Sequence, residues 1–452
     1  MTSEAVKPKQ AGLAAVARPG SGVAWYTVAV LTLAYLFSYI DRQILSLMVG
    51  PIQRDLGLTD TQFSLLHGFA FAIFYTLLGI PIARLADRSS RRRLIAAGIM
   101  IWSLATALGG LARNFIQLFT ARIAVGVGEA ALTPAAYSML ADLFPREKLG
   151  KAIGIYSSGV FVGIGLSFII GGVLITQLEA AGGMTVPFVG HLKSWQATFL
   201  IVGLPGLLIA LLALTLTEPP RTGMGSSAPV SKTTLRQLGG WISTHRTVYL
   251  AHFAGFAMMT LLFNAIMAWA PEYFIRIQGM ERSFIGIRLG IFAAVFGGLG
   301  IICGGLYTDF LSRRGDLAAP MKAGLVGTAI LTPIAIAAPL VKDATISLWL
   351  FAPLLFFVSF PFGPAASALQ MVSPSRMRAQ ISAVYLFVVN LTGIGFGGTA
   401  TALVTDYVYG DPMKLHYAMA SIAAFGGLLA IGLLAFSIQP FRTLHTQLLA
   451  AE

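Results

Sequence analysis

Runs of about twenty apolar, almost uncharged residues recur along the whole chain, and each is long enough to cross roughly 30 Å of hydrocarbon as a helix. In that solvent every backbone N–H and C=O must find its partner inside the protein, so only helices and closed barrels span it. A barrel would show segments of about ten residues with alternating polarity, and the chain has no such pattern. The fold class is therefore an all-α polytopic membrane protein. Composition agrees: 56% of the 452 residues are hydrophobic and only 11% are charged, against about 25% charged in a soluble protein. The mean hydropathy is +0.78. Cys303 is the one cysteine, which excludes an intrachain disulfide and a two-cysteine metal site. Residues 1–22 have no apolar core and read as a tail, not a cleavable signal.

Twelve spans are expected at 25–49, 61–83, 94–112, 115–139, 150–176, 197–216, 247–272, 284–308, 320–340, 346–371, 380–405 and 415–438. Two links are long. The first, 177–196, reads as an external loop. The second, 217–246, contains Glu218-Pro219-Pro220 and a Gly-Ser-Ser-Ala-Pro run, which breaks helices and marks a linker. The domain plan is a tail (1–24), a six-helix bundle (25–216), a linker (217–246), a second six-helix bundle (247–438) and a tail (439–452). Lys and Arg set the direction. They outnumber those on the opposite face about threefold on the face that carries the tails, the 84–93 and 313–322 loops and the linker. That face is read as cytoplasmic, with both termini inside. Most of the +13 net charge then sits against anionic headgroups, which leaves no reason to invoke nucleic acid.

One signature occurs twice. Asp87 precedes Arg91 and Arg92 at the end of span two, and Asp309 precedes Arg313 and Arg314 at the end of span eight. From 87 to 309 the offset is 222, and the arginines share it. Pro145 and Tyr156 recur as Pro374 and Tyr385 at an offset of 229. Internal duplication with a site between the halves is a recurring plan of secondary transporters.

The twelve spans, central linker and doubled acid–arginine motif resemble the major facilitator superfamily. Tyr39-Ile40-Asp41-Arg42 in span one, and Arg122 followed by Gly126-Val127-Gly128-Glu129-Ala130 in span four, resemble its spinster group. The resemblance implies two six-helix bundles around a cavity lined by spans one, four, seven and ten. It also implies a cytoplasmic latch of Asp87, Arg91, Arg92, Asp309, Arg313 and Arg314 that holds the outward-facing state. Eukaryotic spinster proteins export sphingolipids or lysophospholipids, whereas the short loops here look bacterial. A bacterial inner-membrane location is expected, and a monomer.

Four ionisable residues lie deep in apolar spans: Asp41, Arg42, Arg122 and Glu129. A charge at mid-membrane costs at least about 2.5–3.5 kcal/mol on insertion scales, so such residues face a cavity or pair. Arg122 and Glu129 are seven apart and share a helix face. Asp41 and Arg42 are adjacent and diverge by about 100°, so one faces the cavity and the other an adjoining helix or the vestibule. With the family's arrangement, Asp41 and Glu129 come near each other and Arg122 near both. A cation beside a carboxylate favours its charged form, so making or breaking that contact binds or releases a proton. Asp41 and Glu129 are the expected proton-coupling residues, with Arg42 and Arg122 as charge partners or headgroup ligands. A static ion-pair network is the alternative. Asn264, Trp269, Phe356, Phe360 and Asn390 are weaker candidates for cavity lining, with simple packing as their alternative.

Other signals fall away. Gly393 to Gly398 matches a dinucleotide fingerprint but lies inside span eleven with no preceding strand, so close helix packing explains it. The six histidines lack metal-ligand spacing; His67 could join a proton path or simply pack. No cofactor is expected, only a proton gradient. The leading expectation is a proton-coupled secondary transporter of a lipid-like amphipath. The alternative is a proton symporter of small organic anions such as sugar acids. No nucleophile–base pair or metal cluster supports an enzyme.

Overall fold

The computed structural model describes residues 20–220, 235–374 and 377–451. The first tail with Lys7, Lys9 and Arg18, most of the linker with Arg221 and Lys232, and Arg376 lie outside the described residues. Twelve helical spans are long and apolar enough to cross a membrane. The first six are Ser21–Leu47, Asp60–Gly79, Arg91–Gly109, Phe115–Leu143, Lys148–Ala180 and Ser194–Leu214. The second six are Arg246–Arg276, Arg282–Arg313, Ala319–Leu340, Ala344–Val372, Gln380–Tyr409 and Pro412–Ala450. They are numbered one to twelve below.

The link between spans five and six carries a two-stranded antiparallel hairpin, β1 (Met184–Val186) on β2 (Gly190–Leu192), with Thr185 opposite His191. This side is the hairpin face and the opposite side the linker face. The linker is not irregular throughout: after its Pro/Gly/Ser run a helix forms over Leu235–Thr244. Leu238 is buried against the second half, and the Trp241 indole N–H donates to Tyr249 Oη at 2.8 Å. An apolar face with a partner is what the composition of the whole linker concealed.

Several spans are interrupted where they matter. Span one is α-helical over Ser21–Gln43 and tightens into a 3₁₀ turn over Ile44–Leu47. Span four stops at Glu129 and restarts at Leu132. Span two holds a π turn at Leu65–Phe69, and span eleven one at Leu391–Gly395. These two turns meet: a Cβ on Gly68 would stand 2.5 Å from the Ile394 carbonyl oxygen. Spans five and eight approach as closely. Cβ atoms on Gly286 and Gly290 would stand 2.4 and 2.5 Å from the carbonyl oxygens of Phe168 and Gly165. Glycine lets backbones from the two halves touch where any side chain would hold them apart.

Charge clamps the halves at the hairpin face. The Arg276 guanidinium of span seven forks onto both Asp60 oxygens at the start of span two, at 2.8 and 2.9 Å. Arg282 of span eight pairs with Glu179 of span five, and Asp406 accepts from the Thr61 N–H at 2.7 Å. Among the described residues, the ion pairs that join the halves are at this face.

Candidate transport site

Arg42 and Glu129 meet at the interruptions of spans one and four. Arg42 lies in the last turn of its helix, where free carbonyls favour a cation; Glu129 also ends a helix, where they disfavour an anion. The pairing answers both. Glu129 Oε2 accepts from Arg42 Nε at 2.6 Å, from Arg42 Nη2 at 2.5 Å and from Ser38 Oγ at 2.5 Å. Its Oε1 is buried with no hydrogen-bond partner. Two glycines make the approach possible: a Cβ on Gly126 would stand 2.5 Å from the Phe71 carbonyl oxygen, and one on Gly128 2.7 Å from that of Gly98. Span four is thereby pressed onto spans two and three. The Arg42 guanidinium also lies 4.3 Å from the Phe71 ring centre, 4.8 Å from Tyr75 and 4.9 Å from Tyr39, a set of cation–π contacts.

Asp41 and Arg42 diverge as adjacent helical residues must. Arg42 lines the central cavity, while Asp41 turns toward span three, where its Oδ2 accepts from Thr106 Oγ1 at 3.3 Å. Asp41 Oδ1 is buried without a partner. Arg122 lies near enough to Asp41 and Glu129 to interact with both charges, as expected, but it hydrogen-bonds to neither carboxylate. It donates from Nη1 to the Asp41 backbone carbonyl at 3.4 Å, and its Nε and Nη2 are buried with no partner. Glu129 takes Arg42 instead, because Arg42 reaches it across the cavity wall.

The cavity, about 340 Å³, lies between the halves. Tyr35, Tyr39, Arg42, Phe71 and Phe161 line it from the first half; Thr260, Phe263, Asn264, Phe362 and Asn390 line it from the second. Asn264 and Asn390 thus sit where expected. Trp269, Phe356 and Phe360 do not line it. Trp269 is buried in the second half and donates to the Gly398 carbonyl at 2.8 Å. Phe356 and Phe360 sit where span ten presses on span eight, so close that Cβ atoms on Gly300 and Gly304 would meet their carbonyl oxygens at 2.1 and 1.9 Å. Span ten breaks after Ser359 and restarts at Phe362 behind Pro361, and Phe362 lines the cavity. The π turn in span two brings His67 to the wall, with Nε2 buried and unpartnered. Sequence reading passed over Ser38 and Tyr35, although 35, 38, 39 and 42 repeat at helical spacing and so share a face.

The doubled loop motif is not symmetric in its contacts. The buried Arg91 guanidinium donates to Asp142 at 2.5 Å, Glu218 at 2.8 Å, Ser138 at 3.0 Å and the Pro219 carbonyl at 2.8 Å. The Arg92 N–H donates to Glu218 at 3.0 Å. All these partners belong to the first half or the start of the linker. Burial works against the Glu218 charge, but the Arg92 N–H, the Arg91 guanidinium and the Ser90 hydroxyl outweigh it and hold the carboxyl below its usual range. Asp309, Arg313 and Arg314 are exposed, and Arg314 stacks over Phe310 at 4.2 Å. The Asp87 side chain lies outside the described residues.

The model of the Major Facilitator Superfamily matches residues 31–401. An efflux pump of this type from Mycolicibacterium smegmatis is 28% identical over 82% of each chain. A D-galactonate transporter of Escherichia coli is 26% identical over 92% of this chain and 97% of its own. A bacterial homolog of the human lysosomal transporter spinster, solved in an inward-facing and unoccupied conformation, superposes with a TM-score of 0.77. It is 27% identical and the match covers 96% of this chain and 99% of that one.

Proposed function

The chain belongs to the Major Facilitator Superfamily, and from that membership we propose that it is a proton-coupled carrier of an amphipathic, lipid-like molecule, working by alternating access. A lysophospholipid, a sphingolipid-like compound or an apolar drug fits the description. One observation carries the choice: aromatic and aliphatic side chains together make up most of the cavity wall, and Arg42, the cation lining it, is committed to Glu129. A substrate that needs a free guanidinium finds none until that pair breaks.

Breaking it is the proton step. A proton on Glu129 removes the charge that holds Arg42, and the arginine is then free to move with span one. Asp41, set against span three with one oxygen unpartnered, is the second coupling carboxylate, and Arg122, with two free nitrogens beside it, is its partner in the other facing state. The latch residues of the linker face, Asp87, Arg91, Arg92, Asp309, Arg313 and Arg314, close that side when the hairpin face opens. With the linker face in the cytoplasm, as the Lys and Arg distribution implies, the clamp at the hairpin face gives the inward-facing state of a monomeric inner-membrane carrier.

The second reading is a proton symporter of small organic anions. It is supported by the D-galactonate transporter among the relatives and by the same pair, since an Arg42 released by protonation would offer a carboxylate a bidentate fork. Uptake into proteoliposomes separates the two. The lipid reading expects saturable uptake of a labelled lysophospholipid that follows an imposed proton gradient and loses that dependence in Glu129→Gln with Asp41→Asn. Saturable, gradient-driven uptake of galactonate alone overturns it. Gradient-dependent uptake that survives both substitutions overturns the coupling assignment.

A further inference from the structure

We infer that a second cleft, under the hairpin and apart from the transport cavity, binds the phosphate of an anionic lipid headgroup. The cleft is about 350 Å³ and is lined by Arg113, Lys193, His191, Asp55 and Gln196 among others, none of which lines the transport cavity. Basic residues are sparse on this face, so an arginine and a lysine from distant parts of the sequence converging in one concavity is a local concentration of charge.

The charge balance there is positive. Asp55 is the one acid, and both its oxygens are taken: Lys193 Nζ pairs with Oδ1, and the Trp195 indole N–H donates to Oδ2 at 2.9 Å. The Arg113 guanidinium is exposed and has no partner among the described residues. Two helices begin at the rim, Phe115–Glu129 after Asn114 and Ser194–Gly203 after Lys193. Their positive dipole ends add to the field. Arginine grips a phosphate through two parallel N–H donors, so the free guanidinium is the primary ligand and Lys193 the secondary point charge.

The surroundings identify the source of the phosphate. Leu108 at the end of span three, Leu111 just after it on the cleft wall, and Ile116 at the start of span four are exposed apolar side chains close to Arg113 in the chain. Phe188 stands fully exposed at the hairpin tip, held in the left-handed region at φ 67°. A soluble anion uses none of these groups. A phospholipid uses all of them, with its phosphate in the cleft and its acyl chains along Leu108 and Ile116, while Phe188 sits at headgroup level as interfacial aromatics do.

The test is titration of the full-length protein in neutral detergent, followed by native mass spectrometry and thermal unfolding. The probes are phosphatidylglycerol, phosphatidylcholine, glycerol 3-phosphate and inorganic phosphate. Phosphatidylglycerol is expected to bind in preference to phosphatidylcholine and to raise the unfolding temperature, with the water-soluble phosphates without effect at equal concentration. Arg113→Gln should weaken that binding about fivefold, the share of one interfacial cation. The Arg113 side chain has no hydrogen-bond or ion-pair partner among the described residues, so the substitution should leave the unliganded protein unchanged. Asp55→Asn should tighten binding, since it removes the competing charge on Lys193. Equal binding of the two lipids, or binding unchanged by Arg113→Gln, overturns the site. Binding of inorganic phosphate or glycerol phosphate as strong as that of the lipid keeps an anion site but overturns the lipid assignment.

Discussion

At the scale of single residues, the buried charges and the arginines that could partner them were visible in the sequence, but which arginine takes which carboxylate was not. Asp41, Arg42, Arg122 and Glu129 stand out because an apolar helix tolerates almost no ionisable residue. Their pairing depends on helix rotation and on the break after Glu129, neither of which a period of 3.6 encodes. The outcome is a single buried pair, Arg42 with Glu129, in which one carboxylate oxygen carries three donors and the other none. Removing one partner of a buried pair leaves a naked charge and costs about 3–5 kcal/mol, whereas removing both can be neutral. Arg42→Gln should therefore lower thermal stability strongly, and Arg42→Gln combined with Glu129→Gln should recover most of it. Two losses that simply add would mean the pair is not coupled. Glu218 behaves oppositely, as an anchor held ionised. Its carboxyl titrates below the ordinary glutamate value of about 4.3, so its contribution is full above that value and is lost as pH falls through the lower, folded-state one. The difference in unfolding temperature between the wild type and Glu218→Gln should be constant from neutral to mildly acidic pH and shrink below that range. A difference that persists at low pH would show that the linker is held by something other than this charge.

At the scale of elements, length and hydropathy placed all twelve spans to within a few residues at most of their ends. What they could not show was where a helix departs from regularity. Hydrophobic periodicity carries no trace of a π turn, so neither the entry of His67 into the cavity wall nor the meeting of Gly68 with Ile394 was legible. Nor could composition tell Phe356 and Phe360, pressed on glycines of span eight, from Phe362, which faces the cavity two residues later. The glycines themselves fall into two kinds. Gly126 seats span four on span two within one half, so Gly126→Ala should destabilise the fold by about 1–3 kcal/mol, the usual cost of overpacking, without changing which state is favoured. Gly286 seats span eight on span five across the halves, so Gly286→Ala should push those spans apart. The expected result is a shift in the balance of facing states with a smaller loss of stability, read as a change in inter-spin distances across the hairpin face. Identical behaviour of the two variants would mean that the glycines are interchangeable packing sites.

At the scale of the whole molecule, the duplication is real in the fold and broken in the chemistry. The 222 offset maps Asp41 to Phe263, which lines the cavity opposite Arg42, and the 229 offset maps Glu129 to the buried Val358. The buried Arg42–Glu129 pair therefore has no counterpart at the matching positions of the second half, and the halves communicate through their contacts. The strongest of these is Arg276. All five of its N–H donors are engaged: Nε on Glu272 at 3.0 Å, Nη1 on Asp60 at 2.8 Å and on the Pro412 carbonyl at 3.3 Å, and Nη2 on Asp60 at 2.9 Å and Gln53 at 3.0 Å. Asp60 and Gln53 belong to the opposite half, so opening the hairpin face must break the fork and expose both charges. Truncating one partner of such a pair costs about 2–5 kcal/mol, and each 1.4 kcal/mol is about tenfold in population. Arg276→Gln should thus raise the population open at the hairpin face by at least about tenfold. Spin labels at Ala181→Cys and Lys342→Cys, in a Cys303→Ser background, read the separation of the two halves at that face. Asp60→Asn should act in the same direction, and the double variant should shift the distances little further than either alone, because both remove the same bond. Arg276→Lys keeps the charge but loses the fork and should fall between. If the distance distribution of Arg276→Gln matches that of the wild type, the Arg276–Asp60 pair does not hold that face shut, and the Arg282–Glu179 pair, the Asp406 contact and the glycine contacts of spans five and eight do.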